Sequence, residues 1–201
     1  MASLITRRVV LLLATLLPAG AWAQHTDVAG VRFEHQVQVG GQALQLNGAG
    51  IRYKAIFKVY AAGLYLAAKA GTPDAVLATP GAKRIQVVLL RTIDANEFGK
   101  ILSAGIQNNS SREEFLAALP GILRMGEASS QYKQLVAGDT MTVEWVPAIG
   151  TTLYVKGKPE VGPYKDQAFF NAMAKIWLGK SPADYQLKEA LLGVPPKRAE
   201  N

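Results

Sequence analysis

The sequence predicts an α+β fold in which an antiparallel sheet is covered on one face by helices. Three observations lead there. Strand-like segments come first, helical periodicity follows in the middle, and strands then helices return, without regular βαβ alternation. At 201 residues with 49% hydrophobic content, the chain suits one domain with a real core. The third is a clean change of period from two to 3.6 after Arg91, marked by capping residues.

VRFEHQVQV, Val31 to Val39, places Val31, Phe33, Val37 and Val39 on one face and Arg32, Glu34, Gln36 and Gln38 on the other, which predicts a strand with one wet face. Gly40-Gly41 signals a turn into QALQL, so a hairpin is expected near the N-terminus. From Phe57 to Ala67, β-branched and aromatic residues recur without capping chemistry and predict a strand buried on both faces. RIQVVLLR, Arg84 to Arg91, predicts another, after a loop, GTPDAVLATPGA, broken up by its Gly and Pro.

Asp94 and Glu97 form a capping box at the start of DANEFGKILSAGI, where Phe98, Ile101, Leu102 and Ile106 share a helical face. A second box, Ser111 with Glu114, opens SREEFLAALPGILRMG, and Pro120-Gly121 is expected to kink or divide that helix. DTMTVEWVP and TTLYVKGK predict strands joined through AIG, with a bend at Lys156 to Pro159. A helix is expected from Asp166 through QAFFNAMAKIWLG, burying Phe169, Phe170, Met173, Ile176 and Trp177 and stopping at Gly179. A short helix follows from Pro182 to Gly193, and PPKRAEN, 195–201, is expected to be a flexible, solvated tail.

The first 23 residues read as a cleaved export signal. Arg7 and Arg8 precede an apolar run of nine residues, VVLLLATLL, and AWA offers a small-residue cleavage site before Gln24. That run is well short of the roughly 20 residues that span a bilayer. The paired arginines also suit twin-arginine export, with the general secretory route as the default. The domain is therefore expected over 24–194, in the periplasm or outside the cell. Zero cysteines exclude disulfides, thiol catalysis and Cys-ligated metals. Removing Met1 to Ala23 lowers the formal net charge from +7 to +5, spread without a basic block, so no nucleic-acid partner is expected.

A search for chemistry by residue type returns little. His25 and His35 are the only histidines, and no zinc-site spacing exists. His35 lies on the apolar face of the first strand, where a hydrogen-bonded core or rim histidine is expected. There is no nucleophile elbow, no phosphate-cradling loop and no dinucleotide fingerprint, since Gly48 and Gly50 lack a third glycine and a following helix. No cofactor and no metal are therefore expected. Asp139 and Glu144 are separated by an odd number of residues, which puts them on opposite strand faces and argues against an acid/base pair. Phe169, Phe170 and Trp177 either wall a ligand pocket or pack a core, and their helical spacing favours the core. Arg52, just before the buried strand, has two readings. It either points to water paired with an acid, or stands at the mouth of an apolar cleft and fixes a carboxylate or phenolate.

LNGAGIRYKAIFKVYAAGLYL, Leu46 to Leu66, resembles the chalcone isomerase superfamily through Gly48, Gly50 and Arg52, followed by Lys58, Ala61, Gly63, Tyr65 and Leu66. LLRTIDANEFGKILSAGIQNN, LVAGDTMTVEWVPAIGTTLYVKGK and FFNAMAKIWLGKSPADYQLKEALLG are similar to the bacterial, exported chalcone isomerase-like branch, so the resemblance spans about Val31 to Gly193. It implies an open-faced β-sandwich, a large antiparallel sheet covered by helices with the ligand cleft between them. It also implies that Arg52 faces the anionic end of a ligand. Where the isomerases keep a strand threonine, a helix tyrosine and an asparagine, this chain has Tyr60, Phe98 and Gly105, which argues against chalcone cyclisation. The resulting expectation is a protein that binds a small apolar anion, a fatty or aromatic acid. Arg52 pairs with the acid, Tyr60 donates a hydrogen bond, and Tyr65 or Phe98 lines the cleft. The enzyme alternative is an intramolecular lyase or isomerase of enone substrates, with Arg52 stabilising the developing oxyanion and no dedicated base. A third reading, an interaction module without a small ligand, is expected if Phe98, Phe169 and Trp177 fill the cleft.

Overall fold

A computed structural model describes residues 24–194; the segment read as an export signal, 1–23, and the tail, 195–201, lie outside the described residues. The strands are β1 (His25–Val28), β2 (Val31–Glu34), β3 (Gln36–Val39), β4 (Gln42–Lys54), β5 (Phe57–Leu66), β6 (Lys83–Leu89), β7 (Ile93–Asp94), β8 (Gln134–Leu135), β9 (Thr140–Val146), β10 (Gly150–Val155) and β11 (Lys158–Tyr164). The helices are α1 (Pro73–Ala78), α2 (Ala95–Asn109), α3 (Arg112–Ser130), α4 (Ala168–Leu178) and α5 (Tyr185–Leu191). Seven strands form one antiparallel sheet in the order β11-β10-β9-β6-β5-β4-β3. The pairs β1-β2 and β7-β8 stand apart from it.

The period-two pattern of β5 explains the layers. Tyr60, Ala62, Leu64 and Leu66 pack into the core under the helices, whereas Ala61 and Tyr65 pack into a second cluster on the other face. Above the sheet lies α4, which buries eight of its 11 residues, including Phe169, Phe170 and Trp177. A helix apolar on so much of its surface must be central, and α2 and α3 both pack against it. On the far face, Leu44, Leu46, Ala61, Tyr65 and Val88 are covered by Phe33 of the β1-β2 hairpin. Its ring sits over Gly63, where a Cβ would come within 2.6 Å of the ring carbon.

Several expectations need correction. Val31 to Val39 is not one strand: it breaks at His35, whose backbone N–H donates to Gln24 O (2.7 Å) and whose carbonyl accepts from Leu46 N (2.9 Å). The chain thereby passes from the hairpin to the large sheet. The supposed loop after Gly71 contains α1, started by Pro73 and by Thr72, whose Oγ1 accepts from Ala75 N (3.3 Å). Pro120-Gly121 does not divide α3, which runs on for 19 residues. Proline removes the donor for the Leu116 carbonyl, and Leu116 is exposed, so water can replace it. Gly121 serves packing: a Cβ there would meet the Phe169 ring at 2.5 Å. The Ser111–Glu114 capping box is complete, but Asp94 caps α2 alone while Glu97 turns to Lys100 (3.1 Å). Finally, β11 was not expected as a strand.

Candidate functional site

The site begins with two glycines. A bulge at Asn47 shifts the register of β4 against β5, and Gly48, Gly50 and Arg52 then share the helix-facing side. A Cβ on Gly48 would run into the Ala190 carbonyl oxygen, and one on Gly50 would lie 2.6 Å from Ala190 Cβ. The glycines are therefore the seat of α5. Asn47 fastens its end, donating to Leu191 O (2.7 Å) and Ala70 O (2.9 Å) while accepting from Ala70 N (2.8 Å). At the other end Asp184 caps α5, accepting from Gln186 N (2.8 Å) and Leu187 N (3.1 Å) with one oxygen and from Tyr53 N (2.9 Å) with the other. Arg52 emerges just beyond this clamp.

Arg52 is half-buried, directly opposite Tyr60 in the ladder, and its guanidinium carbon lies 5.8 Å from the centre of the Tyr60 ring. Its Nε is buried without a hydrogen-bond partner, and Arg52 belongs to none of the ion pairs among the described residues. The nearby carboxylate, Asp184, is occupied by three backbone N–H groups. Tyr60 is 3% exposed, and its hydroxyl oxygen accepts from Trp177 Nε1 at 2.8 Å. Its own proton finds no acceptor among the described residues. Burial pushes the Tyr60 hydroxyl from 10.0 up to about 12; the Arg52 cation and the Trp177 bond pull it down, and Asp184 adds to the rise. Tyr60 is thus a neutral donor and not a base. Phe98 closes the group, edge-on to Tyr60 with ring centres 6.3 Å apart.

Arg52, Tyr60 and Phe98 are therefore brought together, and Tyr65 is not. Tyr65 lies five positions from Tyr60 and packs on the opposite face, where burial first of all, opposed by Arg84, raises it to about 12. Trp177 belongs to the site through its bond to Tyr60, although its helical spacing favours the core over a pocket wall. Asp184 was missed altogether, but an Asp before a short amphipathic stretch was its signal. Gly105 faces α4, where a Cβ would meet Ile176 Cγ2 at 3.0 Å, so a larger residue there would displace the helix.

The arrangement offers two unused donors, a cation and a phenol, inside aromatic walls, and no adjacent free base among the described residues. Beyond Phe98, between sheet and helices, lies an apolar cavity of about 20 Å³ lined by Leu102, Met125, Leu135, Met141 and Leu153. A wider recess of about 400 Å³ at the other end of β4 includes His35 and Lys69. Its histidine and lysine are engaged: His35 bonds Thr26 Oγ1 (3.0 Å) and Gln24 Oε1 (3.3 Å), and Lys69 donates to Leu46 O and Asn47 O. Asp139 and Glu144 are likewise spoken for, by Lys156 and Arg84.

A family model described as chalcone isomerase-like matches residues 25–193, nearly all of the described chain. The chain belongs to the chalcone isomerase-like family. Among solved structures, this chalcone isomerase-like chain is similar to an Arabidopsis thaliana fatty-acid binding protein, with a TM-score of 0.59 and 15% identity. The likeness covers 81% of this chain and 92% of the plant protein, and establishes a shared fold. No curated protein matches the sequence.

Proposed function

We propose that this is an exported, bacterial-type chalcone isomerase-like protein that binds a small apolar carboxylic acid, fatty or aromatic. The carboxylate takes the Arg52 guanidinium and the Tyr60 hydroxyl proton, and the apolar part passes Phe98 toward the cavity under α2 and α3. The observation that carries this reading is the buried, partnerless Nε of Arg52 beside a phenol proton without an acceptor. The plant relative named for fatty-acid binding supports the ligand class. At about 20 Å³, the cavity has room for about one water and not for an acyl chain or an aromatic ring, so α2 and α3 must move outward to admit the acid.

Titration with laurate and cinnamate, followed by calorimetry and native mass spectrometry, tests the proposal. Arg52→Ala is expected to weaken binding by about tenfold to a hundredfold, the loss of a charged hydrogen bond. Equal uptake by both proteins, or none by either, would sink it. The second outcome would instead favour an interaction module without a small ligand. The complete burial of Phe98, Phe169 and Trp177 in the space over the sheet supports that second reading. Two donors without a base also suit oxyanion stabilisation. Loss of the conjugated absorbance of an added chalcone, dependent on Arg52, would therefore replace binding by isomerisation.

A further inference from the structure

The hairpin joining β4 to β5 ends in Tyr53-Lys54-Ala55-Ile56-Phe57-Lys58, and its composition is unusual for a turn. Ile56 is 85% exposed, Phe57 57% and Tyr53 37%. The first turn residue, Ala55, holds φ +53°, where hairpins ordinarily place Gly, Asn or Asp. A turn that local physics would fill with small polar residues instead carries Ala-Ile at its apex. Three cations surround it: Lys54 and Lys58, both exposed, and Arg91, whose guanidinium carbon lies 5.3 Å from the centre of the Phe57 ring. From Arg52 to Lys58 there is no acid, and Asp184, the carboxylate held against Tyr53, is bound by backbone N–H groups. Tyr185, next along α5, is 67% exposed.

We infer that this hairpin tip docks the protein onto an anionic lipid surface, with Ile56 and Phe57 entering the headgroup boundary and Lys54, Lys58 and Arg91 meeting lipid phosphates. The shape decides for a bilayer over a protein groove. The apolar groups stand at the apex of a two-stranded hairpin flanked by three exposed cations, and the adjoining tyrosines suit the interface, where one end of the ring is dry and the other wet. No helix among the described residues is long and apolar enough to cross a membrane. The docked orientation sets the Arg52 side of β4 against the lipid, although the inference needs no ligand to be bound.

Co-sedimentation of the purified protein with phosphatidylglycerol/phosphatidylcholine vesicles, and with phosphatidylcholine alone, is the test. Pelleting is expected with the anionic vesicles only, and is expected to weaken at high salt. Ile56→Asp with Phe57→Asp should return it to background, and Lys54→Gln with Lys58→Gln should weaken it roughly thirtyfold, as expected for two charges at a lipid surface. Leu123→Asp, at an exposed apolar position on α3, should leave it unchanged. Melting curves of all variants should match the parent, because every altered side chain is exposed. Absence of pelleting, or equal pelleting by the Ile56/Phe57 variant, overturns the inference. So does a tip-dependent dimer in sedimentation without vesicle binding, which would assign the tip to a second copy of the chain.

Discussion

Arg52 and Tyr60 each present a proton that the folded chain gathers and leaves unused. A buried donor without an acceptor costs roughly 1–3 kcal/mol, so Arg52→Met, which keeps an apolar stem and drops the charge, is expected to stabilise the ligand-free protein by about 1 kcal/mol. Urea titration checks this, and a loss of that size would show the guanidinium holding the fold together. Tyr60→Phe has the opposite sign, because it strands Trp177 Nε1 at a cost of about 1–3 kcal/mol. Its pH signature is separable. With the folded hydroxyl raised from 10.0 to about 12, the stability Tyr60 contributes is complete below pH 10 and is lost as pH climbs through 12. Parent and Tyr60→Phe unfolding curves should therefore converge across that window, by up to about 1.4 kcal/mol per pH unit. Much of this was legible: Arg52 and Tyr60 come from the strand motif, and the odd separation from Tyr60 to Tyr65 already contained the parity that puts Tyr65 across the sheet. The bond between residues 60 and 177 was not, since no local spacing links a strand to a helix more than a hundred positions away.

The placement of α5 on β4 is what turns Arg52 into a site. Gly48→Ala is expected to cost about 1–3 kcal/mol, because the obstacle is the Ala190 backbone carbonyl and the helix must lift. Gly50→Ala meets side-chain atoms of Ala190 and Leu187 and should cost less. Thermal melts rank the two; the reverse order would mean that α5 is not seated by Gly48. At this scale the sequence was readable wherever capping chemistry or a long period was present, as in α2, α3 and α4. Division at Pro120 did not follow, because exposed Leu116 lets water replace the lost donor, and Gly121 is no breaker, since its missing side chain is filled by Phe169. The sequence hid α1, because Pro73 reads as a breaker when it in fact occupies a first-turn position.

For the molecule as a whole, the antiparallel sheet under helices followed from the change of period, but the strand order did not. That β6 pairs with β9, across the intervening α2 and α3, is a long-range choice made by packing. Burial of β5 on its other face was expected, but the element that covers it was not, since a strand break at His35 is needed before Phe33 can cover Gly63. That break leaves the β1-β2 hairpin outside the seven-stranded ladder, seated by the Phe33 ring in a slot without a side chain, with Val28 and Val31 packed beside it. Such a joint should behave as a latch. In hydrogen exchange, the amides of β1 and β2 are expected to open well before those of β5 and β6. Phe33→Ala should speed the first set by at least about tenfold while leaving the second near its parent rate, the mark of a unit that swings free without unfolding its support.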